Sequence, residues 1–183
     1  MVYEQDDQLL IRDMTAADPA IFDLEEQAQG WQPTLQKHLL RLSDQQAGRA
    51  IVLVAEIERQ PVGYLSVYPG AEIREGEQRC ELVDFGVLER YRCRGIGSRL
   101  MDAAERIAAR YASTVWLAVG LHSGYGSAQR MYVKRGYLPD GTGAWYGSQP
   151  CTPYQAYDLD DDLVLWMSKQ LDQPSFQENR HLL

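Results

Sequence analysis

Hydrophobic and polar positions along this 183-residue chain change their period several times, and each change marks an element. Leu9 to Arg12 is a short strand candidate, after which Asp18-Pro19 supplies a helix cap followed by proline at the first helical position. Ile21, Leu24 and Ala28 carry that helix forward. Pro33-Thr34 opens a second helix whose Leu35, Leu39 and Leu42 recur at i, i+4 and i+7, which makes them its expected buried face. The period then shortens to that of strands. Ile51 to Ile57 is rich in β-branched residues, Arg59-Gln60-Pro61 turns, and Val62 to Tyr68 resumes as a strand that Pro69-Gly70 is expected to end. A charged loop through Glu72, Arg74, Glu75, Glu77 and Arg79 is expected to follow.

Glu81 to Leu88 is the third strong strand. Past an arginine-rich turn, Ile96, Leu100, Ala103, Ala104, Ile107, Ala108 and Tyr111 share one face of a long helix. Thr114 to Val119 reads as a strand, and Ser127 to Arg135 as a helix closed by Gly136. Tyr137 opens a strand expected to turn at Pro139-Asp140-Gly141, and Leu163 to Met167 is the last one. The order β-α-α-β-β-β-α-β-α-β-β is an α/β (α+β) mixture, with early strands able to pair antiparallel and later ones crossing over through helices. The length fits one domain, taken as residues 1–171, with an aperiodic tail over 172–183.

Composition narrows the function classes. With 45% hydrophobic and 24% charged residues the chain is ordinary for a globular protein, which argues against disorder. Lys and Arg number 18 against 26 Asp and Glu, a net charge of -8 that phosphate backbones repel, so no nucleic-acid partner is expected. The longest apolar run, Ala50 to Ala55, is far below the roughly 20 residues needed to cross a bilayer, so no membrane span is expected. The acidic N-terminus does not look like a secretory signal, which makes a cytoplasmic location the default expectation. Cys80, Cys93 and Cys151 lack C-x-x-C spacing and read as free thiols, and His38, His122 and His181 are too scattered to suggest a metal site.

The sharpest signal runs from Val87 to Leu100, where a strand ends in an arginine-rich, glycine-containing turn that opens directly into a helix. Glycines let the main chain approach an anion, successive N–H groups point at it, and the helix start adds roughly half a positive charge. A P-loop would need G-x-x-x-x-G-K-[ST], and no Lys-Ser or Lys-Thr pair occurs. A dinucleotide fingerprint would need Gly or Ala where Leu100 stands, on the first strand of a βαβ repeat.

The remaining pattern, Arg92-x-x-Gly95-x-Gly97, resembles the pyrophosphate loop of the GNAT superfamily of acyl-CoA-dependent N-acetyltransferases. The segment Ala128 to Tyr137 resembles that superfamily's A-x-x-L-Y-x-x-x-G-[FY] signature, with Tyr132 at the tyrosine. Tyr125 stands where many members have Asn. The resemblance implies a GNAT fold, a mixed and mostly antiparallel sheet splayed at the acetyl-CoA site with helices on both faces. It implies acetyl-CoA as co-substrate, no metal, and a small-molecule or peptide amine as acceptor; it is compatible with a homodimer. Phe85, Val87, Arg92, Cys93, Arg94, Gly95, Ile96, Gly97 and Ser98 would then bind the cofactor, with Cys93 a small filler in the loop.

Two residues are implied as catalytic. Tyr132 would protonate the departing thiolate, and Glu81 would deprotonate the amine, as a glutamate does six residues before the strand-end valine in the histone-acetylating branch. On a regular strand Glu81, Val83, Phe85 and Val87 would share one face, with Asp84 on the other. Arg99 reads as a solvated residue, and Asp158, Asp160, Asp161 and Asp162 as a solvated acidic turn or an attractor of a cationic amine. Trp31, Tyr64, Tyr68, Trp145, Tyr146 and Tyr154 could line an acceptor pocket or complete the core. Arg90, Arg92, Arg94 and Arg99 would form a basic notch in an acidic body. The expected activity is transfer of acetyl to a primary amine of a small cationic molecule by direct attack in a ternary complex. Protein or peptide N-acetylation and a non-catalytic acyl-CoA-binding module are the alternatives.

Overall fold

Alternation along the central strands decides the architecture. On β3 (Ile51–Ile57), Val52 and Val54 point to one face of the sheet, where they join Phe22, Leu42 and Tyr64 in a small cluster. Leu53 and Ala55 point to the other face, into a larger core with Leu100, Ala104, Val115 and Met167. A strand apolar on both sides needs a layer on each, and helices supply both.

The computed structural model describes residues 1–74 and 77–172. The elements after β1 (Val2–Gln5) and β2 (Leu10–Asp13) are α1 (Asp18–Ala28), α2 (Leu35–Gln46), β3, β4 (Gln60–Arg74) and β5 (Glu77–Val87). They continue with α3 (Ile96–Ala108), β6 (Thr114–Gly120), α4 (Gly126–Lys134), β7 (Leu138–Tyr146), β8 (Gln149–Pro150) and β9 (Leu163–Gln170). One sheet holds the strands in the order β1-β2-β3-β4-β5-β6-β9-β7-β8, and every pairing is antiparallel except β5 with β6. The α/β mixture expected from the periodicity is observed, and the sheet is mixed and mostly antiparallel as the resemblance implied.

Several local expectations change. Pro69-Gly70 does not end β4, which bulges between Tyr68 and Ala71 and runs on to Arg74, and β5 begins at Glu77, so strand replaces most of the expected charged loop. Likewise β7 does not turn at Pro139-Asp140-Gly141. The extra residues between Pro139 and Ala144 bulge out, with Gly141 and Gly143 at φ +86 and +82, and the strand continues. β1 was not foreseen; it is held by Tyr3 donating to Asp13 at 2.5 Å and by Arg99 of α3 binding Glu4 and Asp6. The tail expected over 172–183, with His181, lies outside the described residues beyond Asp172.

The first helix is entered through Asp18, whose carboxylate accepts from the Thr15 N–H at 2.6 Å and also binds Arg12. On α2 the buried face is His38, Leu42 and Asp44, whereas Leu39 is exposed. The helix is rotated away from its leucines because a buried polar network competes for that face. Glu26 of α1, fully buried, accepts from Thr34, from the His38 ring at 3.0 Å and from the Tyr64 hydroxyl at 2.6 Å. Burial alone would raise its carboxyl, but the bonds from His38, Thr34 and Tyr64 outweigh that and hold it at about 2. Phe22, His38 and Tyr64 pack ring against ring around it.

Truncating Glu26 takes the acceptor from three donors, of which His38 and Tyr64 are buried. Glu26→Ala is therefore expected to destabilise the fold by roughly 3 kcal/mol at neutral pH, read from the denaturant midpoint, with Glu26→Gln closer to wild type. An unchanged Glu26→Ala midpoint would show that the network contributes nothing net.

Candidate active site

The site begins where two parallel strands part. β5 and β6 pair only through Cys80–Val115, Glu81–Trp116 and Leu82–Leu117; beyond those residues β5 keeps only β4 as a neighbour and β6 only β9. A wedge opens between residues 83–87 of β5 and residues 118–120 of β6. The edge of β5 facing it has no strand partner, which leaves main-chain groups for a ligand.

At the mouth of the wedge β5 carries a bulge. Ser66 pairs with Val83 but Tyr64 with Gly86, so β5 spends one extra residue there, and Asp84 takes φ 52. The regular alternation expected for Glu81, Val83, Phe85 and Val87 therefore fails. Leu82 lies in the α3-side core and Phe85 and Val87 pack against that same core, although they follow Leu82 by an odd number of positions, which a regular strand would put on the other face. Asp84 does not point away from Glu81's surroundings either. Its carboxylate takes the Arg41 guanidinium of α2 at 2.5 Å, and the charges of both Arg41 and Asp84 act on Glu81. Burial pushes the Glu81 carboxyl up to about 7, with Arg41 opposing and Asp84 adding to the rise.

The opposite arm of the wedge is built around Tyr125. Its ring lies so close to Gly120 at the end of β6 that a Cβ there would come within 2.4 Å of it. The Tyr125 hydroxyl and the His122 Nε2 both meet Asp161 Oδ1 at 2.9 Å, and His122 Nδ1 accepts from the Gly124 N–H at 3.1 Å. That second bond assigns the Nε2 proton to the Asp161 contact. The bond from His122 and then that from Tyr125 hold the Asp161 carboxyl low, while burial and its bond to Asp161 push the Tyr125 phenol up to about 12. Asp160 likewise accepts from the Tyr146 hydroxyl at 2.7 Å. The acidic turn is exposed, as expected of a solvated turn, and Asp160 and Asp161 are in addition tied to aromatic side chains.

Tyr132 of α4 is buried, its ring 6.4 Å from Phe85 and 5.7 Å from Tyr137, and its hydroxyl bonds to no described residue. Burial, then the nearby Tyr125, raises its phenol. Among the other aromatics, Tyr64 belongs to the Glu26 network and accepts from Lys37 at 3.1 Å, Tyr68 donates to Asp44 at 2.5 Å, Trp145 is buried, and Tyr154 is fully exposed.

Below the wedge, a one-turn 3-10 helix (Glu89–Tyr91) leads into the glycine turn. Gly95 takes φ +80 as the residue before α3, with no atom within 4 Å of where its Cβ would be and no side-chain cap on the helix. No side chain caps the first amides of α3, the groups that a helix start offers to an anion. Gly97 has a different reason to be glycine: a Cβ there would sit 3.0 Å from the Phe85 ring. Ile96 is buried and Ser98 exposed. Cys93, expected as a filler, is exposed at φ 61.

The basic notch is smaller than the arginine count suggests. Arg90 is bound to Glu25 at 2.9 Å, Arg99 to Glu4 at 2.5 Å and Asp6 at 2.7 Å, and Arg92 to the Val87 carbonyl at 3.0 Å with Glu89 nearby. Arg99 is thus a tie to β1 and not a solvated residue. Arg94 makes no ion pair among the described residues and lies over Tyr91. An uncapped helix start with a left-handed glycine and a free arginine fits the diphosphate of a CoA-type ligand. Among the described residues no group of His, Cys, Asp and Glu could hold a metal, and no helix is long and apolar enough to cross a membrane.

Sequence reasoning missed Arg41, Asp84 and the His122–Asp161–Tyr125 cluster. The acidic run and the histidine after β6 were visible, but nothing local joins residues 122 and 161.

Comparison with curated protein sequences finds no match. Solved structures share the fold. Ribosomal-protein-alanine N-acetyltransferase from Brucella melitensis is 23% identical with a TM-score of 0.64, over 88% of this chain and 99% of that one. Naa50 from Arabidopsis thaliana, in complex with the bisubstrate analogue CoA-Ac-MVNAL, is 17% identical with a TM-score of 0.63, over 90% and 99%. The putative acetyltransferase yncA from Salmonella typhimurium, with its cofactor acetyl-CoA, is 17% identical with a TM-score of 0.65, over 92% and 97%. The Acetyltransferase (GNAT) family matches residues 16–137, which covers both the wedge-forming strands and the glycine turn. The chain belongs to the GNAT acetyltransferase family.

Proposed function

We propose that this protein is an acetyl-CoA-dependent N-acetyltransferase acting on the primary amine of a small cationic molecule by direct attack in a ternary complex. The observation that carries the reading is the wedge between β5 and β6, which opens above an uncapped helix start and is flanked by a carboxyl held near neutrality and a buried phenol. Fold relatives that hold acetyl-CoA or a CoA bisubstrate analogue support the choice of co-substrate.

When bound, acetyl-CoA supplies an activated acetyl group on a thioester whose departing thiolate needs a proton. Tyr132 would provide it: its phenol is raised, so it keeps its proton at neutral pH, and its hydroxyl bonds to no described residue. Glu81 is the proposed base. A carboxyl with a midpoint of about 7 is substantially ionised at working pH and basic enough to take a proton from the ammonium, which frees the nitrogen lone pair to attack the thioester carbonyl. The Arg41–Asp84 pair acts electrostatically on that carboxyl, and Asp161, bonded by a neutral His122, brings negative charge to the wedge that suits a cationic acceptor. A peptide N-terminus is the second reading, favoured by relatives that act on a ribosomal protein and carry a peptide analogue.

Thiol release with acetyl-CoA over polyamines, aminoglycosides, amino acids and peptides should show turnover, fastest on a small cationic amine. Tyr132→Phe should then lower the maximal rate by roughly 100-fold and leave acetyl-CoA affinity unchanged. Unchanged turnover would remove Tyr132 from the chemistry, and acetyl-CoA binding with no turnover on any acceptor would favour a binding module.

Glu81 carries a pH signature in rate and stability. The rate should rise with pH through a midpoint of about 7, and Glu81→Gln should abolish that limb. Because the folded protein holds this carboxyl above its unfolded value, the protonated form is favoured by folding; the associated stability is complete in acid and is lost as pH rises through about 7. Glu81→Gln should therefore raise the melting temperature at pH 8 more than at pH 5. An equal shift at both would contradict a raised carboxyl.

Gly97→Glu should abolish acetyl-CoA binding, because the new side chain must displace Phe85 or project a negative charge beside the helix start. Calorimetric binding at wild-type affinity would show that the turn does not hold the diphosphate.

A further inference from the structure

The wedge carries a cation with which no described carboxylate pairs. Lys37 of α2 is half-buried, and its Nζ donates to the Tyr64 hydroxyl at 3.1 Å. It makes no ion pair among the described residues, whereas Arg41, one turn further along the same helix, is taken by Asp84. The phenol determines where the ammonium stands. A Cβ on Gly86 would come within 2.7 Å of the Tyr64 oxygen, so Lys37 is held beside the β5 arm of the wedge, two residues past Asp84. Because the tether is a neutral hydroxyl, it fixes the position of the charge without cancelling it.

The opposite charge stands on the other arm. Asp161 is exposed, and its bonds from His122 and Tyr125 both fall on Oδ1, which leaves Oδ2 without a partner among the described residues. The Lys37 charge is felt there and helps to hold the Asp161 carboxyl low, yet the two groups do not meet. A cation and an anion that face each other across a gap suit a molecule bearing both charges. We propose that Lys37 takes a carboxylate of the acceptor, and that the acceptor is a basic amino acid, which keeps a net positive charge while carrying that carboxylate. This rests on the reading above of a small cationic amine. One ammonium gives its proton to Glu81 and attacks, the carboxylate bonds to Lys37, and the second ammonium faces Asp161 Oδ2. A polyamine would bring only like charge to Lys37. A peptide N-terminus has no carboxylate on the carbon that bears the amine, because that group is already part of an amide.

The test measures acetyl transfer by the full chain to lysine and ornithine and to cadaverine and putrescine, the same diamines without the carboxylate. Wild type should favour each amino acid over its diamine by roughly tenfold in kcat/KM, the effect of one charge-assisted hydrogen bond. Lys37→Met should remove that preference by raising KM for the amino acids with little change in kcat, and Lys37→Arg should keep part of it. Wild type that uses the diamines as well as the amino acids would overturn the assignment and leave acetylation of a small cationic amine standing. A Lys37→Met variant that loses activity on all four acceptors alike would also overturn it, since Lys37 would then serve only the network around Glu26 and Tyr64. Turnover on peptides alone would overturn both readings. The wild-type comparison decides the matter should the variant misfold.

Discussion

The ion pair between Arg41 and Asp84 underlies the geometry of the whole wedge. Asp84 sits at φ 52, a conformation costing a non-glycine residue of order 1–3 kcal/mol, although aspartate tolerates it better than most. A charge-assisted bond to a half-buried guanidinium contributes about 1.5–3 kcal/mol, enough to offset the strain. The extra residue resets the phase of the strand. Had β5 kept its period beyond Leu82, Asp84 would face the apolar core under α3, and Phe85 would leave its place against Gly97. The bulge sends the carboxylate toward α2 and keeps Phe85 and Val87 under the glycine turn. One backbone irregularity thus determines both arms of the candidate site: the charges around Glu81 and the apolar floor beside Tyr132.

The layer of α1 and α2 is unusual in what it buries. Phe22 and Leu42 would make an ordinary small core, yet Glu26 and His38 occupy its centre. Such a network is not a cheap source of stability, because desolvating a carboxylate costs several kcal/mol before its bonds are counted. What it supplies is orientation. Tyr64 is held by Glu26 below and receives Lys37 above, and Arg41 one turn further along α2 is held by both Asp84 and Tyr68. The helix that faces the wedge therefore presents its cations at defined places, each attached through a phenol to the sheet.

Elements whose signal is local were legible in the sequence: the hairpin of β3 and β4, the apolar face of α3, the glycine ending α4 at φ +88, and the glycine turn before α3. The errors share a cause. Pro69-Gly70 and Pro139-Asp140-Gly141 read as turns because those residues favour turns, but a bulged strand can hold the same residues where the neighbouring strand imposes continuation. The face of α2 was misread because a leucine stripe outweighs a histidine in any hydrophobic pattern, and the carboxylate that draws His38 inward lies on another helix. The bulge at Asp84 had only a weak local sign, Gly86 within an otherwise strong strand pattern, and with the bulge went the Arg41–Asp84 pair whose charges act on Glu81. Chemistry written within one segment could be read; chemistry assembled across residues 41, 81, 84, 125 and 161 could not.

Charge bookkeeping by sequence also misplaces the source of anion affinity. Four arginines between residues 90 and 99 suggest a basic patch, but Glu25, Glu4, Asp6 and Glu89 neutralise three of them. Their work is mechanical: Arg90 ties the turn to α1, Arg99 ties α3 to β1, and Arg92 closes the turn on the Val87 carbonyl. What remains for an anion is the set of main-chain N–H groups that this scaffolding fixes in place, together with Arg94. Fixed dipoles need no rearrangement on binding and are less screened than mobile surface charges, so a rigid neutralised loop suits a polyanion better than a flexible cationic one. An overall charge of -8 is then no obstacle to binding a polyanion, because the attraction is local and does not depend on the sign of the acidic remainder.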